Sequence, residues 1–451
     1  MSTLLIKNVD KIVTVDSEDR VLSNQNILIE DEKIKYLGPD YFDADEVIDG
    51  SGYFVYPGLI NTHHHLYQTF TRNLPQVQSM ELFDWLVALY EIWRGLNPEI
   101  IYYSSLVGMG ELLKYGCTTC FDHHYVFPKE NSDNFIDMQF EAADKLGIRF
   151  HASRGSMSRG KSDGGLPPND LVQTVDKILD DSIRLVKKYH DPSKYSMRQV
   201  VLAPCSPFSV TTDLLEESAK IARKLGVRLH THLAETKDEE AYCLEKLNMR
   251  PLEYMESVGW LGEDVWFAHG IHFTDDEVRK LARTKTGVAH CPVSNQKLAS
   301  GVAKVPLMLQ EGVPLGLAVD GSASNDCSNL LAELRASYLI HRLISSSQAP
   351  SAYEILKVAT KGGAMVLGRD DIGSLEVDKA ADLFMINTKR IELAGAHLDP
   401  KSMLGTVGFN RPVDFTIVNG KIVVKDGQLC NIDEYEVTER ANKLVEKLVN
   451  P

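Results

Sequence analysis

Histidines and acidic residues lie at or just past the ends of short apolar runs that together span more than half of the chain. Imidazole and carboxylate groups bind transition metals and transfer protons near neutral pH. Parallel strands that close into one barrel bring their carboxyl ends to the same rim. If the runs are such strands, six side chains converge on one site: His63, His65, His232, Glu235, His269 and Asp320.

Three histidines are predicted to bind a metal ion through their imidazole side chains. His63 and His65 end the first run, and residues two apart on a strand share a face, so both can bind one ion while His64 points away. His232 ends a later run, whereas His230 lies deeper on the same strand face. We therefore predict that His232 is the third ligand and that His230 is a buried structural residue or supports a ligand.

Asp320 is the predicted carboxylate ligand. It follows the apolar run 314–319, where an unpaired carboxylate is costly to bury. Coordination to a cation removes that cost, and three imidazoles with one carboxylate leave room for water, as in a catalytic site. These ligand types predict one divalent metal, Zn²⁺ or alternatively Fe²⁺. The fourth strand, 201–205, contains no lysine that could bridge two ions, which favours a single metal.

Eight strand-like runs must position these residues. Several are preceded by a helical pattern that closes on glycine, at Gly116, Gly147 and Gly226, as expected for a left-handed cap before a strand. Apolar strands that alternate with helices are typical of a (β/α)8 TIM-type barrel, an α/β fold. An open sheet would not bring the first, fifth, sixth and eighth strand ends together. The predicted strands are 58–65, 117–123, 148–153, 199–205, 227–233, 265–270, 287–292 and 314–320.

Both ends of the chain carry short β-type runs with no helix between them. They lie at 4–8, 11–15, 26–30 and 33–37, and again at 381–387, 415–418 and 421–425, with Asn419-Gly420 as a hairpin turn. We predict that residues 1–55 and 371–451 build one small β-sandwich domain. The second segment ends in a helix at 436–449, and residues 56–370 form the barrel.

Composition excludes several classes of protein. A net charge of −15 over 451 residues argues against binding to nucleic acid or to a membrane surface, since phosphate contacts need clustered Lys and Arg. The chain shows no signal-type segment and no apolar run long enough to span a bilayer, which predicts a cytoplasmic protein. Seven cysteines are sparse and odd in number, so we expect reduced thiols, with Cys117 and Cys120 packed in the barrel.

The chain resembles the amidohydrolase superfamily over essentially its whole length. It is most similar to the mononuclear aminohydrolases of purines, pterins and triazines. Within that branch, segments 66–68, 153–165 and 203–208 are most similar to 8-oxoguanine deaminases, with hydroxyatrazine ethylaminohydrolases and isoxanthopterin deaminases as close relatives. The residues that carry the superfamily resemblance are 57–65, 232–235, 268–270, 290–295 and 320–325.

The resemblance implies a hydrolase of C–N bonds in cyclic amidines. The expected reaction converts 8-oxoguanine and water to uric acid and ammonia. The alternative is another amino-heterocycle: isoxanthopterin, guanine, or hydroxyatrazine with release of ethylamine. Glu235 is expected to protonate the ring nitrogen, while His269 and Asp320 orient the water and accept its proton. A catalytically inactive relative would be expected to lack a ligand or Glu235, and this chain has all of them.

Substrate recognition is predicted to use Gln68, Arg154 and Cys205. Gln68 follows the first histidine pair by a short turn and can read a ring edge, while Arg154 can hold a ring oxygen with two parallel hydrogen bonds. The candidate walls of the substrate pocket are Cys205, Trp85, Tyr125 and Phe208, although ordinary packing explains each of them as well. The expected partner is a small heterocycle, without nucleic acid or membrane, and a homo-oligomer such as a dimer is left open.

Overall fold

The computed structural model describes residues 2–130 and 132–450, so the predicted segment limits at residues 1 and 451 fall outside the described residues. The chain opens with five strands: β1 (Thr3–Val13), β2 (Val21–Glu30), β3 (Lys33–Gly38), β4 (Glu46–Asp49) and β5 (Tyr53–Pro57). The predicted runs 4–8 and 11–15 form one strand, β1, which ends at Val13. Asn8, within this strand, adopts a left-handed φ of 57°. The resulting bulge shifts the register without ending the pairing of β1 with β2.

Eight parallel strands follow and neighbour one another in chain order. The first and last strands close the sheet, since Thr62 N donates to Leu317 O (3.2 Å) and Asp320 N donates to His63 O (3.1 Å). The predicted (β/α)8 barrel is thus confirmed. Its strands are β6 (Leu59–Asn61), β7 (Cys117–Asp122), β8 (Arg149–Ser156), β9 (Arg198–Pro204), β10 (Leu229–Leu233), β11 (Val265–His269), β12 (Gly287–His290) and β13 (Leu315–Leu317).

At least one helix lies between each pair of consecutive barrel strands. Gly147 and Gly226 adopt left-handed φ values of 79° and 70° at the ends of two of these helices, where the sequence predicted caps. The helices are α1 (Leu82–Trp93), α2 (Pro98–Lys114), α3 (Phe135–Leu146), α4 (Val175–Tyr189), α5 (Thr212–Leu225), α6 (Lys237–Tyr242), α7 (Pro251–Ser257), α8 (Asp275–Thr284), α9 (Pro292–Lys297), α10 (Val305–Glu311), α11 (Ser322–Asn325), α12 (Leu330–Ser345), α13 (Ala352–Lys357), α14 (Gly363–Val366) and α15 (Glu434–Val449).

The carboxyl-terminal strands join the amino-terminal ones in a second, mixed sheet of nine strands. They are β14 (Leu383–Asn387), β15 (Phe415–Val418), β16 (Lys421–Lys425) and β17 (Gln428–Leu429), and β14 pairs antiparallel with β5. Both termini therefore build one β unit with a core of its own, as the sequence predicted. The domain boundaries themselves remain a prediction, and β5 runs across the one drawn between residues 55 and 56.

Two expectations from composition can be compared with the structure. Within the described residues, no helix has the length and apolar character needed to cross a membrane. All seven cysteines are free thiols, and Cys117 and Cys120 are buried in β7.

Candidate active site

The six residues predicted from the strand ends lie together at the carboxyl rim of the barrel, and all are buried. His63 Nε2 and His65 Nε2 lie 3.3 and 3.2 Å from Asp320 Oδ1. On the other side of Asp320, His269 Nε2 lies 4.0 Å from Oδ2 and 3.6 Å from Glu235 Oε2. Two overlapping groups have the spacing to hold a metal ion: His63, His65, His123 and His232, and His63, His269 and Asp320.

The hydrogen bonds of His65 and His232 determine which ring nitrogen of each is bare. His65 Nδ1 lies 2.6 Å from the His123 carbonyl oxygen, and His232 Nδ1 lies 2.7 Å from that of Cys205. A carbonyl oxygen only accepts, so each Nδ1 carries a hydrogen. In the neutral form of either imidazole, Nε2 then carries a lone pair. Burial, aided by the neighbouring imidazoles, lowers the pKa of His232 well below its usual value, which keeps that ring neutral. The two Nε2 atoms are 3.1 Å apart.

A relay through His230 orients His63 in the same way. His230 Nδ1 donates to the Trp266 carbonyl oxygen (3.0 Å), so its Nε2 is an acceptor and takes the hydrogen of His63 Nδ1 at 2.8 Å. This leaves His63 Nε2 bare, and that atom has no hydrogen-bond donor. Burial lowers the pKa of His63 to about 3, so the ring is neutral.

The residues present fit a divalent metal. The Nε2 atoms of His63 and His65 lie 3.3 and 3.2 Å from Asp320 Oδ1, and His232 Nε2 lies 3.1 Å from His65 Nε2, so a cation among them would relieve the repulsion between these lone pairs. Three nitrogen ligands and one oxygen ligand are a donor set that Zn²⁺ accepts, and histidines held by a backbone carbonyl or a second side chain are usual around it. Asp320 is itself held, since Ser294 Oγ and Ser324 Oγ donate to Oδ2 at 2.6 and 3.2 Å.

Left-handed backbone at three non-glycine residues shapes the rim. Ala234, His269 and Asp320 have φ values of 53°, 72° and 63°. They lie at or just past the ends of β10, β11 and β13. Such conformations cost on the order of 1–3 kcal/mol each, and they cluster at functional sites where the surrounding structure holds them. These three residues lie at the same rim as the converging side chains, and other left-handed non-glycine residues occur elsewhere in the chain.

Glu235 has the environment of a proton carrier. Its side chain is buried past the end of β10, and burial raises the pKa of its carboxyl well above the usual value, with the Asp320 carboxylate adding to the effect. A carboxyl that holds a proton at higher pH is suited to act as an acid.

A narrow cavity opens beside these groups. Gln68 lines it from the short 3-10 helix Leu66–Thr71, and its Oε1 has no hydrogen-bond partner. Gly321 makes this position available, because a Cβ at residue 321 would lie 1.9 Å from that Oε1. The cavity is lined by His65, Gln68, Leu82, Trp85, Leu86, Tyr125, Cys205, Phe208, His232, Glu235, Leu298 and Ser324. Gln68, Cys205 and the three predicted aromatic walls are therefore all present.

The structure does not bring Arg154 to this cavity, contrary to the role predicted for it. Its guanidinium is buried elsewhere, with Nε on Asp181 Oδ2 (2.5 Å) and Nη2 on Gln173 Oε1 (2.8 Å). Nη1 donates to the Gly155 carbonyl oxygen, and the group stacks 3.8 Å from the Phe127 ring centroid. These partners use three of the five guanidinium N–H groups, and Arg154 does not line the cavity.

Two contacts at the site were not predicted from the sequence. His123 belongs to one of the groups with metal-binding spacing, with Nε2 on the Ala203 carbonyl oxygen (2.8 Å) and Nδ1 without a partner. Its place at the end of the second strand was the available signal. Asn295 Oδ1 lies 2.9 Å from His269 Nδ1, a contact between different loops that no local pattern indicates.

Comparison with known proteins decides the family. A model of the amidohydrolase family matches residues 54–423. The chain belongs to the amidohydrolase family. It is 43% identical to 8-oxoguanine deaminase from Pseudomonas aeruginosa over 96% of both chains. It is 40% identical to hydroxydechloroatrazine ethylaminohydrolase from Pseudomonas sp. (strain ADP), over 100% of this chain and 96% of the relative.

A solved structure agrees with the fold and contains zinc. Atrazine chlorohydrolase from Arthrobacter aurescens TC1 complexed with zinc superposes with a TM-score of 0.95 at 33% identity, over 98% of this chain and 100% of that one. The family and the two aminohydrolase relatives together show that this amidohydrolase hydrolyses C–N bonds of a small molecule.

Replacing His230 with phenylalanine should weaken metal binding by this amidohydrolase about 10- to 100-fold, as is typical when the partner of a metal-bound histidine is lost. Phenylalanine preserves the ring that packs against Phe121 and Trp266 but removes the acceptor for His63 Nδ1. The measurement is the zinc dissociation constant by competition with a chromogenic chelator.

His64→Gln is the matched control for this experiment. His64 lies between the two ligands in sequence, but its Nε2 contacts Ser328 Oγ (2.9 Å). We expect His64→Gln to keep the zinc affinity. Equal affinities in His230→Phe and the unmodified protein would contradict the relay.

Proposed function

We propose that this amidohydrolase deaminates 8-oxoguanine to uric acid and ammonia, with one Zn²⁺ held by His63, His65, His232 and Asp320. The substrate assignment rests on the 43% identity to an 8-oxoguanine deaminase over 96% of both chains. The metal assignment is supported by the Nε2 atoms of His63 and His65 beside the Asp320 carboxylate and by the His232 Nε2 atom 3.1 Å from that of His65. Zinc is preferred to Fe²⁺ because a similar structure contains it.

The proposed chemistry begins with the addition of water to the carbon that bears the amino group. A divalent metal in this site would lower the pKa of a water from 15.7 toward about 7, so that hydroxide is available at neutral pH. His269 and Asp320 face this position from one side, with 4.0 Å between Nε2 and Oδ2, and would orient the water and accept its proton. Glu235 faces it from beside His269.

Glu235 would then pass a proton to the ring nitrogen next to the reacting carbon. Its raised pKa supports this role, since the carboxyl must hold a proton near neutral pH. Collapse of the tetrahedral adduct breaks the C–N bond: the departing amine takes from Asp320 the proton that came from the water, and the hydroxyl proton of the adduct returns to Glu235. The sum is one water consumed and one ammonia released.

Substrate recognition would use the unpartnered polar atoms of the cavity. Gln68 Oε1 is a free acceptor and Trp85 Nε1 a free donor, both buried. A purine edge offers complementary N–H groups and oxygens, while Tyr125, Phe208 and Cys205 would cover the ring faces. Arg154 has no part in this proposal.

A second candidate is hydroxyatrazine, with release of ethylamine. It is supported by the 40% identity to hydroxydechloroatrazine ethylaminohydrolase over the whole chain. Leu82, Leu86 and Leu298 add aliphatic surface to the cavity, which suits an N-ethyl group. Both candidate reactions would use the metal and Glu235, and both release an amine or ammonia. They differ in the shape of the substrate ring and in its substituents.

The preferred substrate can be measured directly. Zinc-loaded protein is mixed with 8-oxoguanine, isoxanthopterin, guanine or hydroxyatrazine, and released ammonia and ethylamine are quantified separately. We expect the highest kcat/KM with 8-oxoguanine, because its edges offer both donors and acceptors to Gln68 and Trp85. A higher kcat/KM for ethylamine release would move the assignment to the triazine.

A mock purification from cells that do not express the protein is the blank for this comparison. Turnover that persists in the blank reports a contaminating enzyme. Absence of turnover with all four compounds would remove the substrate proposal and leave the family assignment.

A further inference from the structure

A buried glutamate outside the cavity lining contacts the turn that carries Glu235. Glu239, in α6, is 1% exposed. Its Oε1 accepts from Ala234 N at 3.0 Å and its Oε2 accepts from Glu235 N at 2.9 Å. Both oxygens of one carboxylate therefore hold two successive peptide N–H groups, the second of which belongs to the proposed proton carrier.

The turn that Glu239 holds is strained. Ala234 has a φ of 53°, in the left-handed region that a residue with a Cβ rarely adopts. Its carbonyl oxygen accepts from Ile271 N and His272 N, both at 2.9 Å, which ties the turn to the loop after His269. The conformation is thus over-determined from both sides, and Glu239 supplies the contacts on the N–H side.

Two other helices of the same chain show what this motif does elsewhere. Thr274 and Glu277 begin α8, and Ser351 and Glu354 begin α13, as capping boxes in which the glutamate accepts from the backbone N–H of the capping residue at 2.7 Å.

The start of α6 has the same sequence pattern but a different contact. Thr236 caps the helix, with Oγ1 accepting from Glu239 N at 3.3 Å, but the Glu239 carboxylate reaches past Thr236 to the two preceding residues. Helix capping therefore does not account for where its oxygens lie. Their position instead follows the turn that carries Glu235.

We infer that Glu239 is a positioning residue of this amidohydrolase: by accepting both N–H groups it holds the left-handed turn that aims the Glu235 carboxyl at His269 and the reacting carbon. The inference rests on the proposed function, since it acts through the role of Glu235. A glutamine at 239 can accept from only one N–H, and its amide NH2 would face the other.

Replacing Glu239 with glutamine should lower kcat about 10²-fold, the loss that a misplacement of about 1 Å can cause, with little change in KM or zinc content. The assay uses 8-oxoguanine or, if it is not turned over, the fastest compound of the four. Glu354→Gln is the matched control, because it makes the same substitution at the same position of a capping box outside the site, and it should keep the original kcat. Glu239→Asp keeps two acceptor oxygens on a shorter side chain and should restore part of kcat.

The deciding measurement is a double-mutant cycle with Glu235→Gln. If Glu239 acts through Glu235, Glu239→Gln lowers kcat in the parent enzyme but causes no further loss in the Glu235→Gln enzyme. An equal fold loss in both backgrounds, an unchanged kcat, or loss of zinc from Glu239→Gln would overturn the inference. Full activity of Glu235→Gln alone would overturn the proposed function as well, whereas a change of preferred substrate would leave the positioning role intact.

Discussion

Glu235→Gln should lower kcat/KM about 10²- to 10⁴-fold, the contribution typical of general acid–base catalysis. Glutamine keeps the shape of the side chain, which is buried and lies 3.6 Å from His269 Nε2, but it cannot carry a proton to the ring nitrogen. The substitution removes the carboxyl whose raised pKa lets it hold a proton. Steady-state kinetics on the preferred heterocycle provide the measurement.

Metal content distinguishes this explanation from a disrupted site. Glu235 is not among the groups with metal-binding spacing, so Glu235→Gln should retain stoichiometric zinc by elemental analysis. A variant that has lost both zinc and turnover would assign Glu235 to the metal instead. A fully active variant would remove Glu235 from the mechanism.

Removal of the metal should abolish turnover, and this is the largest effect we expect. Prolonged dialysis of the holoenzyme against a chelator, followed by assay, should show no activity above the uncatalysed rate, and added Zn²⁺ should restore it. The physical reason is that the Nε2 atoms of His63 and His65 lie within 3.3 Å of Asp320 Oδ1 and that His232 Nε2 lies 3.1 Å from His65 Nε2, an arrangement that a cation stabilises. A protein that stays fully active after exhaustive chelation would contradict the metal assignment.

Two variants separate the ligands from the residues beside them. Asp320→Asn should weaken zinc binding and turnover together, because Asp320 lies within 3.3 Å of His63 Nε2 and His65 Nε2. His269→Asn should keep the zinc and lose most of the turnover, because His269 is proposed to orient the water rather than to bind the ion, even though it has metal-binding spacing with His63 and Asp320. Loss of zinc from His269→Asn would make His269 a ligand.

The central metal site could be predicted from the sequence because strand direction determines it. In a parallel barrel every strand ends at the same rim, so the residues that follow β6, β10, β11 and β13 must meet, however far apart they are in the chain. A period of two residues per strand face then placed His63 and His65 together, with His64 directed to Ser328. Cys205 reached the cavity for the same reason, as it lies directly past β9, whereas Gln68 reaches it from the short 3-10 helix that follows β6.

Only the tertiary structure decided how the long and buried polar side chains are used. Arg154 lies near the carboxyl end of β8, yet its guanidinium donates hydrogen bonds to Asp181, Gln173 and Gly155. Periodicity gives the face on which a side chain starts, whereas the partner that it finds depends on which distant segment packs there. The tautomers of the ligands depend likewise on carbonyl groups of other strands, and the diversion of Glu239 from a helix cap to the Glu235 turn depends on backbone N–H groups that no residue pattern reveals. The sequence by itself therefore determined the barrel and the convergence of the histidine and acidic side chains at its rim, and the packing between strands and loops determined the hydrogen bonds that orient them.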